Sequence, residues 1–412
     1  MNASLVGSSH PDVLIIGGGI LGCSIAWHYA RLGIGQVMLL ERHALAASAT
    51  SQAAALLTQA RAKTALMPLI AQTYADIAVL EAELGESLDL RRVGSLHVAA
   101  TEARQRELSE LTLIANSAGL QVESWTADAI RRRVPWLNSE AVAAATFMPD
   151  DGFIDPYRLA LAYARAARQH GARLRQNTAV QRLERQGNRI VGVSTAQEVI
   201  SAGCVIDSAG IWANLLAASV AITLPLAPVR SHYWITAPDP LFPRHHPIVI
   251  LPDARAYSRP ELGGLLFGLR EPQSVSYDPR QLPSDLSGFA LSQESGWSSL
   301  IEGAPALRRF LPMLDRLEIA HYVAGLCAYT PDGLFVLGDV AGIDGFLAAT
   351  GCSGGGIAAA GGVGASIAAW VSGRRSPFDL TPFRPDRFGT IDPFSQAFRQ
   401  RCEAARSAKV SG

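Results

Sequence analysis

Lysine is almost absent from this chain: Lys63 and Lys409 are the only two in 412 residues, and arginine makes up the rest of a basic total of 36. The Asp+Glu total is also 36. With no excess of either sign, nothing draws the protein to nucleic acid or to an acidic surface. Cysteine is sparse too. Cys23, Cys204, Cys327, Cys352 and Cys402 lie far apart with no CxxC pair, which excludes a disulfide framework and gives no zinc-site spacing. No HExxH or P-loop pattern occurs, so a zinc protease and a P-loop nucleotidase are also out. No Lys or Arg precedes Arg31, so the apolar run from Val13 lacks the charged start of a secretory signal.

What is present is a chain that is 49% hydrophobic and 17% charged, the composition of a packed protein. Its length favours two domains. Gly345 to Gly373 is uncharged and long enough to cross a bilayer. Its glycines are too dense for a good lone membrane helix, and a core helix is expected instead. The expectation is a soluble, cytoplasmic protein.

The sharpest local signal runs from Asp12 to Arg42. Val13 to Ile16 is a short apolar run suited to a buried parallel strand. Gly17, Gly19 and Gly22 follow in GxGxxG spacing, then a helical stretch to Leu32 and a second strand, Val37 to Leu40, ending at Glu41. Gly17 permits the tight turn, Gly19 lets a pyrophosphate reach the backbone, and Gly22 lets helix pack on strand. Ile20 and Leu21 open the helix whose N-terminal amides and dipole favour phosphate. Glu41 is placed to accept hydrogen bonds from ribose hydroxyls, with Arg42 beside it. Strand, glycines, helix, strand and terminal acid together predict dinucleotide binding, without choosing the dinucleotide.

The rest of the chain does not continue as a simple series of strand-helix units. A helix is expected to about Leu84, a strand near Gly94 to Ala100, and a helix from Thr101 to Ala118. Another starts at Asp155, an N-cap followed by Pro156. Thr178 to Leu183 and Arg189 to Val193 read as a strand pair around Gly187-Asn188. From Ala227 to Phe267 the pattern is strand-like and rich in aromatics, a sheet inserted between parts of the first domain.

The segments IIGGGILG with Glu41, SATSQAAALL, VIDSAGIWANLLA, PVRSHYWITA, AYSRPELGGLLFG, GLCAYTPDGLFVLG and the glycine stretch from Gly351 carry a resemblance. From Asp12 to about Phe388 the chain resembles the D-amino-acid-oxidase-like family of FAD-dependent amine oxidoreductases, nearest to the flavin portions of sarcosine and dimethylglycine dehydrogenases. The resemblance implies an α/β architecture, a Rossmann-type FAD-binding domain interleaved with an antiparallel-sheet substrate domain. Residues 1–85, 151–217 and 326–388 would form the first, 86–150 and 218–325 the second, and 389–412 a C-terminal tail.

It also implies a cofactor set. Beyond the fingerprint, Ser48, Ala49, Thr50, Ser51, Gln52, Ala53 and Ala54 would line the cofactor, together with Val180, Ala209, Gly210 and Trp212. Gly351, Ser353, Gly354, Gly355, Gly356 and Ile357 would meet the flavin from the start of a second glycine-rich helix. A histidine that links FAD covalently in the dehydrogenase branch is replaced by Gln52. The cysteine that does so in monomeric sarcosine oxidases lies two residues out of register with Cys327, so FAD is expected to be non-covalent.

The implied activity is oxidation of a secondary or tertiary amine, or of an N-substituted amino acid, by hydride transfer to flavin N5, giving an imine that hydrolyses. The electrons would pass to oxygen, a quinone or an electron-transfer protein, in a homo-oligomer or a heteromeric complex. A flavin-dependent 2-hydroxy-acid dehydrogenase and an accessory flavoprotein subunit are the competing readings. Tyr257 and Arg259 share one strand face and are the expected substrate contacts, Arg259 anchoring a carboxylate unless it pairs with Glu261 or Glu271. His232, Cys327 and Tyr329 complete the candidate site. Arginines that grip the carboxylate in relatives are replaced by Cys327, expected as small apolar lining, and by Gly354. Leu266 replaces an oxygen-activating lysine, and no other lysine is expected nearby. His245 and His246 are expected to be solvated.

Overall fold

Strands covered on both faces must be apolar throughout, and Val13–Ile16 and Val37–Leu40 are buried at every position. In the computed structural model, which describes residues 10–409, they lie parallel, with Val13 opposite Val37. Cys204–Asp207 flanks Val13–Ile16 on the other side. Ile343–Thr350, from far along the chain, pairs with Cys204–Asp207 through Val205 and Phe346. The resulting nine-stranded sheet therefore has a late strand near its centre.

Four helices build the core on one face of this sheet: Ile20–Arg31, Met67–Leu84, Pro156–Gln169 and Gly356–Val371. The last is glycine-rich because its neighbours press against it. A Cβ on Gly362 would fall 2.2 Å from Leu69 Cα, and one on Gly364 would fall 2.2 Å from Ser24 Oγ. The Gly361 amide donates to Thr73 Oγ1 at 2.9 Å. Asp155 caps Pro156–Gln169 as expected, accepting from the amides of Tyr157 and Arg158.

The second sheet has eight strands, including Ala227–Thr236, Ala256–Glu261, Gly264–Leu269 and Ile319–Tyr329. It is mostly antiparallel, but Ile248–Leu251 pairs parallel with Ser95–Ala99. Ile319–Tyr329 runs through the expected domain boundary at residue 326, so Cys327 and Tyr329 belong to this sheet. The expected tail contains a docked helix, Gln396–Ser407. Its buried residues Phe398, Cys402 and Arg406 recur every four positions on one face. Arg406 Nε donates to the Arg230 carbonyl at 2.9 Å, and Glu403 accepts from the Ser276 amide at 3.0 Å. His246 is buried rather than solvated, because its Nδ1 accepts the Trp136 indole N–H at 2.9 Å.

Candidate functional site

One cleft runs between the two sheets, from the first glycine turn to the inner face of the second sheet. At its first end, Gly17 has φ +102, and a Cβ there would lie 2.6 Å from the Ser208 carbonyl. A Cβ on Gly22 would lie 2.0 Å from the Gly17 carbonyl, so both positions require glycine. Gly19 is different. Its Cβ would meet only Thr50 Oγ1, at 3.2 Å, so open space lies in front of it. The Ile20 amide donates to Thr50 Oγ1 at 3.0 Å, while Glu41 accepts from the amides of Gly18 at 2.7 Å and His43 at 2.8 Å. The Arg42 guanidinium lies 4.3 Å from the Trp212 ring centroid.

Leu21, Ser48, Ala49, Ala53, Ala54, Val180, Ala209 and Gly210 line the same cleft. Gln52 enters it with Oε1 buried and without a protein partner. It lies where Gly325 has no side chain; a Cβ there would be 2.2 Å from Gln52 Oε1. Gly354, Gly356 and Ile357 form the lining from the second glycine segment. Gly22, Glu41, Ser51, Gly351, Ser353 and Gly355 are not on the cleft wall; several shape it from behind. Ser353 is one of these: its hydroxyl accepts the Thr330 amide at 3.2 Å and donates to the Gly351 carbonyl at 3.2 Å. Gly351, Ser353 and Gly355 also satisfy GxSxG spacing, a match outside the sequence expectations. A serine buried and bonded in this way is no exposed nucleophile.

At the other end, the second sheet contributes Tyr257, His232 and Tyr329. Tyr257 lies over Gly268, whose Cβ would fall 2.2 Å from the ring, and the Arg270 guanidinium stands 5.5 Å from its centroid. His232 Nδ1 is 3.1 Å from the Tyr322 hydroxyl, and its buried Nε2 has no protein partner. Burial lowers its pKa to about 4, so the imidazole is neutral at physiological pH. The Tyr329 hydroxyl faces Gly354, where a Cβ would be 2.8 Å away; burial raises its pKa well above the ordinary value.

Arg259 is not on this wall. It shares a strand face with Tyr257 but lies further along, where its Nε donates to the Ala54 carbonyl at 3.0 Å and its Nη1 pairs with Glu261. Its guanidinium also packs on Phe153, 4.3 Å from the centroid. The expected anchor is thus a structural arginine, held by the acid two residues away. The cations that do reach the cleft at this end are Arg270, Arg406 and Lys409. Lys409 Nζ donates to the Ser353 carbonyl at 3.2 Å. Burial, then the charges of Arg61 and Arg270, hold its ammonium well below the usual lysine range. Burial followed by Arg406 lowers Arg270 to about 10. The expectation that no lysine stands near the site is overturned.

Cys327 is more than apolar lining. Its Sγ lies 3.4 Å from Cys352 Sγ and accepts the Gly354 amide at 3.1 Å. The hydrogen bond from Cys327, with the amides of Gly354 and Gly356 and the charge of Lys409, lowers the Cys352 thiol to about 7. Both remain free thiols.

The first end of the cleft fits FAD. Open space in front of Gly19, a helix N-terminus whose N-cap residue offers no side-chain hydrogen bond, an acid at the end of the second strand and the unpaired Gln52 Oε1 suit a dinucleotide. Among the described residues, no group of acids, histidines or cysteines is arranged to hold a metal ion, and no helix is long and apolar enough to cross a membrane.

Comparison with known proteins agrees. A family profile described as FAD dependent oxidoreductase (DAO) matches residues 12–370. The chain is 31% identical over 383 residues to 4-methylaminobutanoate oxidase (formaldehyde-forming) of Paenarthrobacter nicotinovorans, covering 92% of this chain and 46% of that one. It is 31% identical over 387 residues to the mitochondrial dimethylglycine dehydrogenase of Mus musculus, covering 92% and 44%. The chain thus spans less than half the length of these two curated relatives. The crystal structure of glycine oxidase from Geobacillus kaustophilus superposes with a TM-score of 0.77 at 26% identity, covering 93% of this chain and 100% of that one.

Proposed function

Because the chain belongs to the DAO family of FAD-dependent oxidoreductases, we propose that it oxidises a secondary or tertiary amine, or an N-substituted amino acid, at a carbon bonded to nitrogen. The observation that carries this reading is the single cleft shared by the dinucleotide turn and the second sheet. When bound, FAD would supply the two-electron oxidant for the hydride equivalent lost from that carbon.

The chain's own residues prepare the substrate. Only an unprotonated amine can release its C–H in this way, because the nitrogen lone pair must stabilise the cation that forms. Arg270, Arg406 and Lys409 lie on the wall, which has no Asp or Glu; positive surroundings disfavour an ammonium and so favour the neutral amine. Neutral His232 offers a hydrogen bond without a charge, and the Tyr257 hydroxyl orients the substrate. Ile357 and Leu326 add apolar wall that keeps bulk water from the reacting carbon. Water then hydrolyses the released imine to an amine and a carbonyl compound.

FAD is held without a covalent bond, since Gln52 provides no ring nitrogen and the Cys327 thiol is engaged by Cys352 and the Gly354 amide. Acid precipitation should leave the yellow colour in the supernatant; colour in the pellet would contradict this. The reaction is tested by anaerobic mixing with a panel of amines and 2-hydroxy acids, following the visible flavin absorbance. Bleaching by an amine is expected. Bleaching by hydroxy acids alone would replace the proposal with 2-hydroxy-acid oxidation, and bleaching by neither would point to an accessory subunit. The same reduced protein, offered oxygen, a quinone or an electron-transfer protein, identifies the acceptor.

A further inference from the structure

The five thiols of the chain fall into two kinds. Cys23 and Cys402 are buried, and burial pushes each up to about 12. Burial likewise raises Cys204 to about 11. Cys327 and Cys352 are different: their Sγ atoms stand 3.4 Å apart, and both line the cleft. A disulfide sets its sulfurs about 2.0 Å apart, so closing the pair asks for about 1.4 Å of side-chain movement.

The backbone around them is already tied. The Ser353 amide donates to the Ala328 carbonyl at 2.9 Å, and the Gly354 amide donates to Cys327 Sγ at 3.1 Å. Cys327 comes from Ile319–Tyr329 of the second sheet, while Cys352 follows Ile343–Thr350 of the first. The two sulfurs thus meet where the domains meet, 25 residues apart in the chain.

The two thiols are also unequal. Cys352 Sγ packs on the first turn of the helix Gly356–Val371, where a Cβ on Gly356 would stand 3.3 Å away. The hydrogen bond from Cys327, then the Gly354 amide, the Lys409 charge and the Gly356 amide, all favour a thiolate at Cys352. The same bond keeps the proton on Cys327. A thiolate beside a protonated partner gives the pair a nucleophile and a second sulfur to complete its reaction. A pair kept only to fill space would need neither the amides nor the lysine.

We propose that Cys327 and Cys352 are a peroxide-oxidisable thiol pair whose disulfide fastens the second sheet to the first domain at the cleft wall. The oxidant is hydrogen peroxide. The Cys352 sulfur attacks one peroxide oxygen, the O–O bond breaks, and hydroxide leaves, so that Cys352 becomes a sulfenic acid. Cys327 then gives up its proton and attacks that sulfur, the S–O bond breaks, and a second hydroxide leaves. Each hydroxide takes a proton, one from each original thiol. Two electrons pass from the sulfurs to peroxide, and two thiols and one peroxide give one disulfide and two waters. This chemistry is the same whichever donor the cleft oxidises.

The test is cysteine mapping on the FAD-loaded protein, treated with hydrogen peroxide, denatured with an alkylating reagent, digested and read by mass spectrometry. The peptides of Cys327 and Cys352 should be recovered joined, and dithiothreitol should separate them. Cys23, Cys204 and Cys402 should be alkylated as in untreated protein. The joined form should melt about 5 °C above the reduced one, because the bond restricts the unfolded chain. In Cys327→Ser, Cys352 should stop at a sulfenic acid that dimedone captures; in Cys352→Ser, Cys327 should stay a thiol. Mapping of the parent protein decides the proposal even if neither variant folds.

Full alkylation of Cys327 and Cys352 after peroxide overturns the proposal. So does equal oxidation of all five cysteines, or flavin recovered on the Cys327 peptide, which would assign that thiol to the cofactor. A joined pair with an unchanged melting temperature would overturn the fastening of the two domains.

Discussion

The two glycine-rich segments of this protein use the same residue for different physical ends. In the first, Gly17 to Gly22, glycine answers to backbone shape and to the space a ligand needs: Gly17 sits at φ +102, and the front of Gly19 is open. In the second, Gly351 and Gly354 have positive φ, but Gly361, Gly362 and Gly364 are ordinary helical residues thinned so that two other helices can touch their backbone. Gly19, with open space before it, is replaceable at the expense of binding. A packing glycine is replaceable at the expense of the fold.

That contrast can be broken most severely at Gly362. A valine there would force side-chain atoms into the backbone of Met67–Leu84, beyond the ~1–3 kcal/mol of ordinary overpacking. The expected outcome is little folded protein, measured as lost soluble yield and cooperative melting. Gly19→Val should do the opposite: a protein that melts normally and is purified without FAD. Full FAD occupancy in that variant would show that the phosphates do not approach this amide.

A third, smaller effect isolates the strand end behind the first segment. Asp207 is fully buried, its Oδ1 accepts the Ala209 amide at 3.0 Å, and Oδ2 has no protein partner. Burial raises its pKa from 3.8 to about 7. A raised carboxyl favours folding while it is protonated. Stability is therefore full below about pH 4, falls as the unfolded chain alone ionises, and reaches its floor above about pH 7. Asp207→Asn cannot ionise, so its melting temperature should exceed that of the parent at pH 8, by the equivalent of a few kcal/mol, and the gap should close near pH 4. A pH-independent gap would mean the carboxyl is not shifted. The smallest effect is expected from Glu41→Gln, which should weaken FAD binding by about 1–3 kcal/mol.

How far the sequence could be read follows the same division. The first segment was legible because its spacing acts within about thirty residues of chain, although Gly17 also abuts the Ser208 carbonyl from a distant strand end. The shared face of Tyr257 and Arg259 was legible as well, since strands alternate. Which of them reaches the cleft was not, because that depends on the Ala54 carbonyl, more than two hundred residues away in sequence, and on whether Glu261 takes the charge. Cys327 and Cys352 meet only because a strand end and a later turn converge on the Gly354 amide. For Lys409 there was a usable signal. Phe398, Cys402 and Arg406 at four-residue spacing mark a docking face, and that face ends just before the lysine. Where the helix would dock is set by the second sheet and is absent from local pattern.

The position of Ile343–Thr350 near the middle of the first sheet bears on the order in which a ribosome would deliver the parts. Every strand of the second sheet lies before residue 343, so that sheet has all its strands while the first still lacks an inner one. Until Ile343–Thr350 arrives, Cys204–Asp207 presents one open edge, the kind of edge to which a stray strand can add. The first sheet is therefore the last to gain its full set of strands. A nascent chain stalled anywhere between Tyr329 and Ile343 would carry a finished second sheet beside an unfinished nucleotide fold, and would need that edge shielded until its own strand arrives.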